Sequence, residues 1–305
     1  MLLILLLFAS FAITFPLGKI ALNYSSPLYI TFFRMTLAGL LLLGGELLSK
    51  KKNKGKGLFQ NFPQTLKEWS YIFYLGFLAH YLSNYLELIG LKNIHAAKAC
   101  FIYSMSPFFS AILSYFFFKE KMTLMKIIGM IIATAGMYPL LSESVSDEQT
   151  LNHFFILSSA EIMVFLACFF AALGWIITKK ALNSSNLNLK TLNGMSMLVA
   201  GILSFFHSYE TEYKVNDFFV SNWPLFFFWI ALFILISNIL SHNLYGHLLR
   251  KYGATLLSLA GLTTPLFAAI WSYLLLGETV TMPFFVSFFF VITGLGIFYR
   301  GDIQK

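Results

Sequence analysis

Residues 106–120 read SPFFSAILSYFFFKE, and residues 264–278 read TPLFAAIWSYLLLGE. Laid over one another at an offset of 158, Ser106-Pro107 falls on Thr264-Pro265, Ser114-Tyr115 on Ser272-Tyr273, and Glu120 on Glu278. Further along, Thr123 meets Thr281 and Gly136 meets Gly294. At an offset of 160, Lys19-Ile20-Ala21-Leu22-Asn23 falls on Lys179-Lys180-Ala181-Leu182-Asn183. Single matches between apolar helices arise by chance, but an ordered set spread along the chain marks an internal repeat.

The repeated material is greasy throughout. Of 305 residues, 58% are hydrophobic, 18% aromatic and only 11% charged, and the mean hydropathy is +0.75. Soluble domains carry about 25% charged residues to cover a water-facing surface. That excludes a soluble enzyme, and it excludes a nucleic-acid binder despite the net charge of +8. Two cysteines, Cys100 and Cys168, lie inside apolar runs and read as buried hydrophobes rather than a disulfide framework. The partner implied by composition is the lipid bilayer.

A spanning helix needs roughly 20 apolar residues. Ten such stretches are predicted: 2–22, 28–48, 69–91, 95–118, 123–141, 161–180, 188–207, 224–249, 254–276 and 281–300. The fold class is therefore an all-α membrane protein of ten transmembrane helices. The first stretch lacks a basic leader and a small-residue cleavage site, so it reads as a retained helix and not a signal peptide. Of the 21 Lys and Arg, 16 fall on the side of the N-terminus. Four fall opposite (Lys19, Lys92, Lys98, Lys214), and Arg34 is inside a span. The positive-inside rule then puts both termini in the cytoplasm. The basic stretch at 50–56 reads as a solvated orientation signal.

Spans 1–5 form one copy of the repeat (1–141) and spans 6–10 the other (161–305), with an external linker at 142–160. Five crossings are odd, so the second copy is upside down to the first. Inverted repeats are the mark of alternating-access carriers, whose substrate site lies near the midplane between the halves.

Lys19 at the end of the first span, followed by Ser26-Pro27-Leu28-Tyr29-Ile30-Thr31-Phe32-Phe33-Arg34, resembles the opening of the drug/metabolite transporter superfamily, EamA-like branch. The two proline-to-glutamate stretches quoted above resemble its paired helices. One departure is that the repeat mate of Arg34 is Gly194. The resemblance implies a secondary carrier whose cavity is lined mainly by spans 1, 3, 4, 6, 8 and 9. EamA-like carriers of S-adenosylmethionine and S-adenosylhomocysteine occur in host-dependent bacteria. The wealth of Phe, Lys and Asn hints at the AT-rich genome of such a bacterium, so the resemblance makes S-adenosylmethionine uptake, in exchange for S-adenosylhomocysteine, the substrate expectation.

Charges within spans cost about 2.5–3.5 kcal/mol on insertion scales, so they are tolerated facing a cavity or a partner. Arg34, Glu87 and Lys98 stand at similar depth, with Glu87 held ionised by Arg34 or Lys98. His80, Asn84 and Glu87 are spaced i, i+4, i+7 and share a helix face. Their repeat mates Asn238, His242 and Tyr245 do the same, so the two stripes read as walls of one pathway. Trp175 and Tyr103 are candidate stacking surfaces. The expected substrate-binding set is thus Glu87, His80, Asn84, Asn238, His242, Tyr245, Arg34, Lys98, Trp175 and Tyr103. Pro107 and Pro265 are expected to interrupt spans 4 and 9. Gly129 and Gly136, with Gly294 and Gly296, suit close helix contact, making spans 5 and 10 scaffold or a homodimer surface.

The sequence contains no nucleotide-binding glycine loop, no metal cluster and no nucleophile elbow. The expectation is a carrier with no catalytic residues, no metal and no cofactor, in the bacterial inner membrane. Two rivals stand beside it: an exporter of amino acids or aromatic toxic compounds, and a non-transporting structural or lipid-handling protein.

Overall fold

The computed structural model describes residues 2–52, 62–119, 122–142, 157–213, 220–241, 244, 248, 261 and 263–303. Among the described residues every regular element is helical. Among the described residues, eight helices are long and apolar enough to cross a membrane: Leu2–Leu22, Pro27–Leu48, Ala96–Phe118, Leu124–Leu141, Ser159–Ser184, Leu189–Thr211, Trp223–Ser241 and Met282–Arg300. Two of the ten expected stretches differ. Residues 66–93 are helical but broken into α4 (Leu66–Leu75), a π segment π1 (Gly76–Leu82) and α5 (Ser83–Asn93). In the ninth, a shorter apolar helix covers Thr264–Leu276.

Proline sets most of the other breaks. In the first span, α1 (Leu2–Ala12) and α2 (Thr14–Leu22) meet at Ile13, because Pro16 has no N–H for the Ala12 carbonyl. In the fourth, α6 (Ala96–Tyr103) ends and α7 (Ser106–Phe118) restarts with Pro107 in its first turn. The expected interruption at Pro107 is therefore present. In the fifth, α8 (Leu124–Gly136) gives way to α9 (Tyr138–Ser142) ahead of Pro139.

The chain divides into two compact units. The first comprises 1–20, 89–165 and 235–305. Here α8 packs along α14 (Met282–Ile303), with Gly129 and Gly294 at the crossing. A Cβ on Gly294 would sit 2.6 Å from the Gly129 carbonyl oxygen. Lipid gives no hydrophobic drive between helices, so such close small-residue contact is what holds them. Gly129, Gly136 and Gly294 are thus engaged inside the chain, whereas a Cβ on Gly296 would meet nothing within 4 Å.

The second unit comprises 21–88 and 166–234. Its main pairing is α3 (Pro27–Lys52) on α11 (Leu189–Ser208). A Cβ on Gly39 would fall 2.8 Å from the Gly194 carbonyl. Gly76, opening π1, presses on the Ser196 carbonyl in the same way, at 2.6 Å. The helix α10 (Ser159–Ser184) begins in the first unit and ends in the second.

Local structure recurs along the chain at the spacing of the quoted stretches. The helix α13 (Thr264–Leu276) starts and stops 158 residues after α7. The residues before them, Met105 and Thr263, adopt the same backbone (φ −77, ψ −11 and φ −78, ψ −12). Their C-caps, Lys119 (φ 55) and Gly277 (φ 69), are the two left-handed residues among those described. Lysine there bears the Cβ strain that glycine avoids. The start of α14 at Met282 follows that of α8 at Leu124 by the same spacing. So does the start of a second π segment, π3 (Ile234–Ser241), relative to π1. That segment follows α12 (Trp223–Phe233), while a third, π2 (Tyr209–Tyr213), ends α11 without such a mate among the described residues.

Candidate functional site

In the second unit, π1 shapes the surroundings of His80 and Asn84. A π turn is wider than an α turn, and one inside an α-helix often marks a functional site. The wide turn here is fixed by side chains. The Asn84 amide donates to the carbonyls of Ala79 (3.2 Å) and His80 (3.0 Å). Its Oδ1 accepts from the Arg34 guanidinium at 2.9 Å. Arg34 is 8% exposed and lies over the Phe233 ring, 3.7 Å from its centroid. A buried cation thus meets a neutral acceptor and an aromatic face. His80 and Glu87 are half-buried, and Trp175 on α10 is 53% exposed. Because residues 76–82 do not follow the 3.6-residue period, the expected i, i+4, i+7 face is not a strict α-helical face at His80.

A second cluster on this unit joins two tyrosines to His207, which the sequence does not single out. The Tyr81 hydroxyl and His207 Nδ1 share a hydrogen bond of 2.6 Å. Tyr85 stacks parallel to Tyr81 and meets the His207 ring edge-on, with centroids 5.2 Å apart. At the end of the unit where α4 begins, Thr65 and Glu68 form a reciprocal cap. The Glu68 carboxylate accepts from the N–H groups of Gln64 (2.8 Å), Thr65 (3.1 Å) and Asn186 (3.4 Å). The Gln64 bond is the foremost reason its pKa lies below the usual carboxylate value.

In the first unit, Asn238 sits buried in π3. The π3 turn is clamped by Ser241, whose hydroxyl donates to the Ile236 carbonyl at 2.7 Å and is hydrogen-bonded to Ser10 at 2.9 Å. Tyr103, at the end of α6, meets Phe15 edge-on with centroids 5.2 Å apart. His242 and Tyr245 lie outside the described residues.

Lys98, expected beside Glu87, forms an ion pair of 2.5 Å with Glu161. Glu161 has no exposed side-chain area and caps the start of α10, its Oε2 accepting from the Ser158 N–H at 2.8 Å. Close by in the same unit, the Lys19 ammonium pairs with Glu278 at 2.6 Å and donates to the Ile94 carbonyl at 2.6 Å. The other Glu278 oxygen accepts from the Ala96 N–H at 2.8 Å. A cavity of about 670 Å³ opens here, lined by Lys98 and Glu278 among others.

The structure therefore joins Arg34 to Asn84, and it gives Lys98 a partner the sequence reading missed. Two sequence signals pointed to these groups. Ser158-x-x-Glu161 before an apolar run is a capping box. The repeat alignment singled out both Lys19 and Glu278 as members of matched stretches.

Residues 1–142 and 158–300 match the EamA-like transporter family. The S-adenosylmethionine/S-adenosylhomocysteine transporter of Chlamydia muridarum is 32% identical over 293 residues, covering 96% of this chain and 89% of that protein. The protein of the same name from Chlamydia trachomatis serovar L2 is 32% identical over 295 residues, covering 96% and 86%. An uncharacterised transporter of Buchnera aphidicola is 25% identical, covering 92% and 86%. One solved crystal structure has the same fold, with a TM-score of 0.59 at 16% identity over 96% of this chain and 94% of that one.

Proposed function

We propose a function from one premise: the chain belongs to the EamA-like transporter family, and it is a multi-pass membrane transporter and not an enzyme. In our reading it takes up S-adenosylmethionine across the bacterial inner membrane in exchange for S-adenosylhomocysteine. The observation that carries the substrate is the 32% identity, over 96% of the chain, to relatives bearing that name. We read ten spans as two inverted five-helix copies, 1–141 and 161–305, working by alternating access with both termini in the cytoplasm. Support comes from the recurrence of caps, helix bounds and π segments at a spacing of 158 residues. A homodimer through spans 5 and 10 forms no part of this reading, since three of the four glycines that suggested it pack inside the chain.

The substrate-contacting residues in this reading are His80, Asn84, Glu87, Arg34 and Trp175, together with Lys98, Tyr103, Asn238, His242 and Tyr245. The chemistry required is modest: one carboxylate for the sulfonium or amino group, a cation for the carboxylate, and aromatic faces for the adenine.

The test is uptake. Proteoliposomes loaded with S-adenosylhomocysteine should accumulate labelled S-adenosylmethionine, and empty ones should not. Glu87→Gln should cut the rate by roughly tenfold with normal insertion, the effect of losing one charge-assisted contact. No accumulation by the wild-type protein in either condition would remove the substrate assignment.

A further inference from the structure

The 670 Å³ cavity of the first unit lies within the range of about 300–1,000 Å³ that suits small organic ligands. Its lining carries two opposite charges, Lys98 and Glu278. Both stand at the start of α6: Glu278 accepts from the N–H of Ala96, the first residue of that helix, and Lys98 is two residues further on. Each is fixed by a counter-charge that does not itself line the cavity. Glu161 holds Lys98 at 2.5 Å, and Lys19 holds Glu278 at 2.6 Å.

Each ion pair takes up one donor of its ammonium. An ammonium has three donors and a carboxylate about four acceptor positions. The pairs do cancel each other's charge, so a lone anion or a lone cation gains no net field here. A ligand carrying both signs a short distance apart gains from both groups at once. We propose that this cavity is a docking subsite for an α-amino-acid zwitterion, with Lys98 reading the carboxylate and Glu278 the amino group. Resting on the transport reading above, the ligand is the amino-acid end that S-adenosylmethionine and S-adenosylhomocysteine share. A subsite blind to the sulfonium would admit both members of an exchange pair.

The experiment uses the full chain in lipid nanodiscs, with labelled S-adenosylhomocysteine as probe and L-methionine and adenosine as competitors. Lys98→Gln and Glu278→Gln should each raise the Kd for the probe by roughly tenfold or more. L-Methionine should compete in the wild type and lose that ability in both variants, whereas competition by adenosine should persist. Thr279→Trp puts bulk on the lining and leaves both ion pairs in place, so it tests the cavity even if a charge variant fails to fold. It too should weaken binding. If the wild type binds the probe and every folded variant stays within about twofold, the subsite is lost and the transport reading stands. If the wild type does not bind the probe, the substrate reading fails. Direct binding of L-methionine then judges the subsite: sensitivity to Lys98→Gln or Thr279→Trp sustains it, and no binding or insensitive binding overturns it.

Discussion

Arg34 donates to Asn84 across 2.9 Å, and the same Asn84 holds the carbonyls of Ala79 and His80. One side chain thus ties a buried cation on α3 to the π turn on the next helical stretch. Asn84→Leu keeps the bulk but strips an acceptor from Arg34 and a donor from two carbonyls. It should cost about 2–3 kcal/mol, the range for a partner withdrawn from a buried charged group. Asn84→Asp retains an acceptor for Arg34 and should cost less. Unfolding midpoints in detergent check the ordering, and equal loss in the two variants contradicts it.

The turn itself can be shortened. A π turn carries more residues than the α turn it interrupts. Deleting Leu78 should let residues 76–82 run on as α-helix while the flanking helices keep their packing. Insertion and thermal stability should hold, and transport should fall by roughly tenfold if the wide turn serves the moving protein. Unchanged uptake by the deleted chain would mean that π1 is a packing detail.

Much of this architecture was legible because it is local. Apolar runs marked the spans, Pro107 marked the break in the fourth, and the two quoted stretches hold helices at matching positions, Ser106–Phe118 and Thr264–Leu276, each closed by a left-handed residue. The side-chain constellations were harder. A π turn has no composition of its own, so the sequence alone assigns His80 the 3.6-residue period. Equal depth in the spans puts Lys98 near Glu87 on sequence alone; its partner Glu161 is set by the start of α10, which no periodicity foretells. Lys19 and Glu278 lie 259 residues apart. Their meeting depends on how α2 and the end of α13 are brought together, a tertiary fact.

The Lys19–Glu278 pair lends itself to a double-mutant cycle. Its side chains are 24% and 11% exposed, so solvent screens it only in part. Lys19→Glu alone sets two carboxylates together, and Glu278→Lys alone sets two ammoniums together and releases the Ala96 N–H. The reversed pair restores opposite charges. Coupling of about 1–2 kcal/mol is expected from denaturation of the four proteins. Additive losses would show that the contact contributes little.

Glu68 supplies a pH dependence with a definite sign. Its carboxyl is held below the ordinary value of 4.5 by backbone N–H groups, first that of Gln64. A depressed folded pKa stabilises the protein above the unfolded pKa, and that contribution is lost as pH falls through the folded one. Wild type should therefore exceed Glu68→Gln in stability by a constant margin above about pH 5. Below that the margin should shrink as the carboxylate is protonated. Thermal midpoints of the two proteins across acidic buffers measure it, and a margin independent of pH would contradict the assignment.

The glycines of α8 and α14 make unequal demands. Gly129 faces the Gly294 carbonyl and the Phe298 backbone so closely that any side chain must push the helices apart. Gly129→Val should cost about 1–3 kcal/mol, the range for overpacking a tight contact, and β-branching adds to the crowding. Gly296 meets nothing within 4 Å, and replacing a helix-interior glycine by alanine removes up to about 1 kcal/mol of unfavourable propensity. Gly296→Ala should therefore leave stability unchanged or slightly raised. Were Gly296→Ala to destabilise the chain as much as Gly129→Val, Gly296 would have to lie in a contact that the monomer does not make. The measurement that checks this is the unfolding midpoint at two protein concentrations, since a contact between copies would make it depend on concentration.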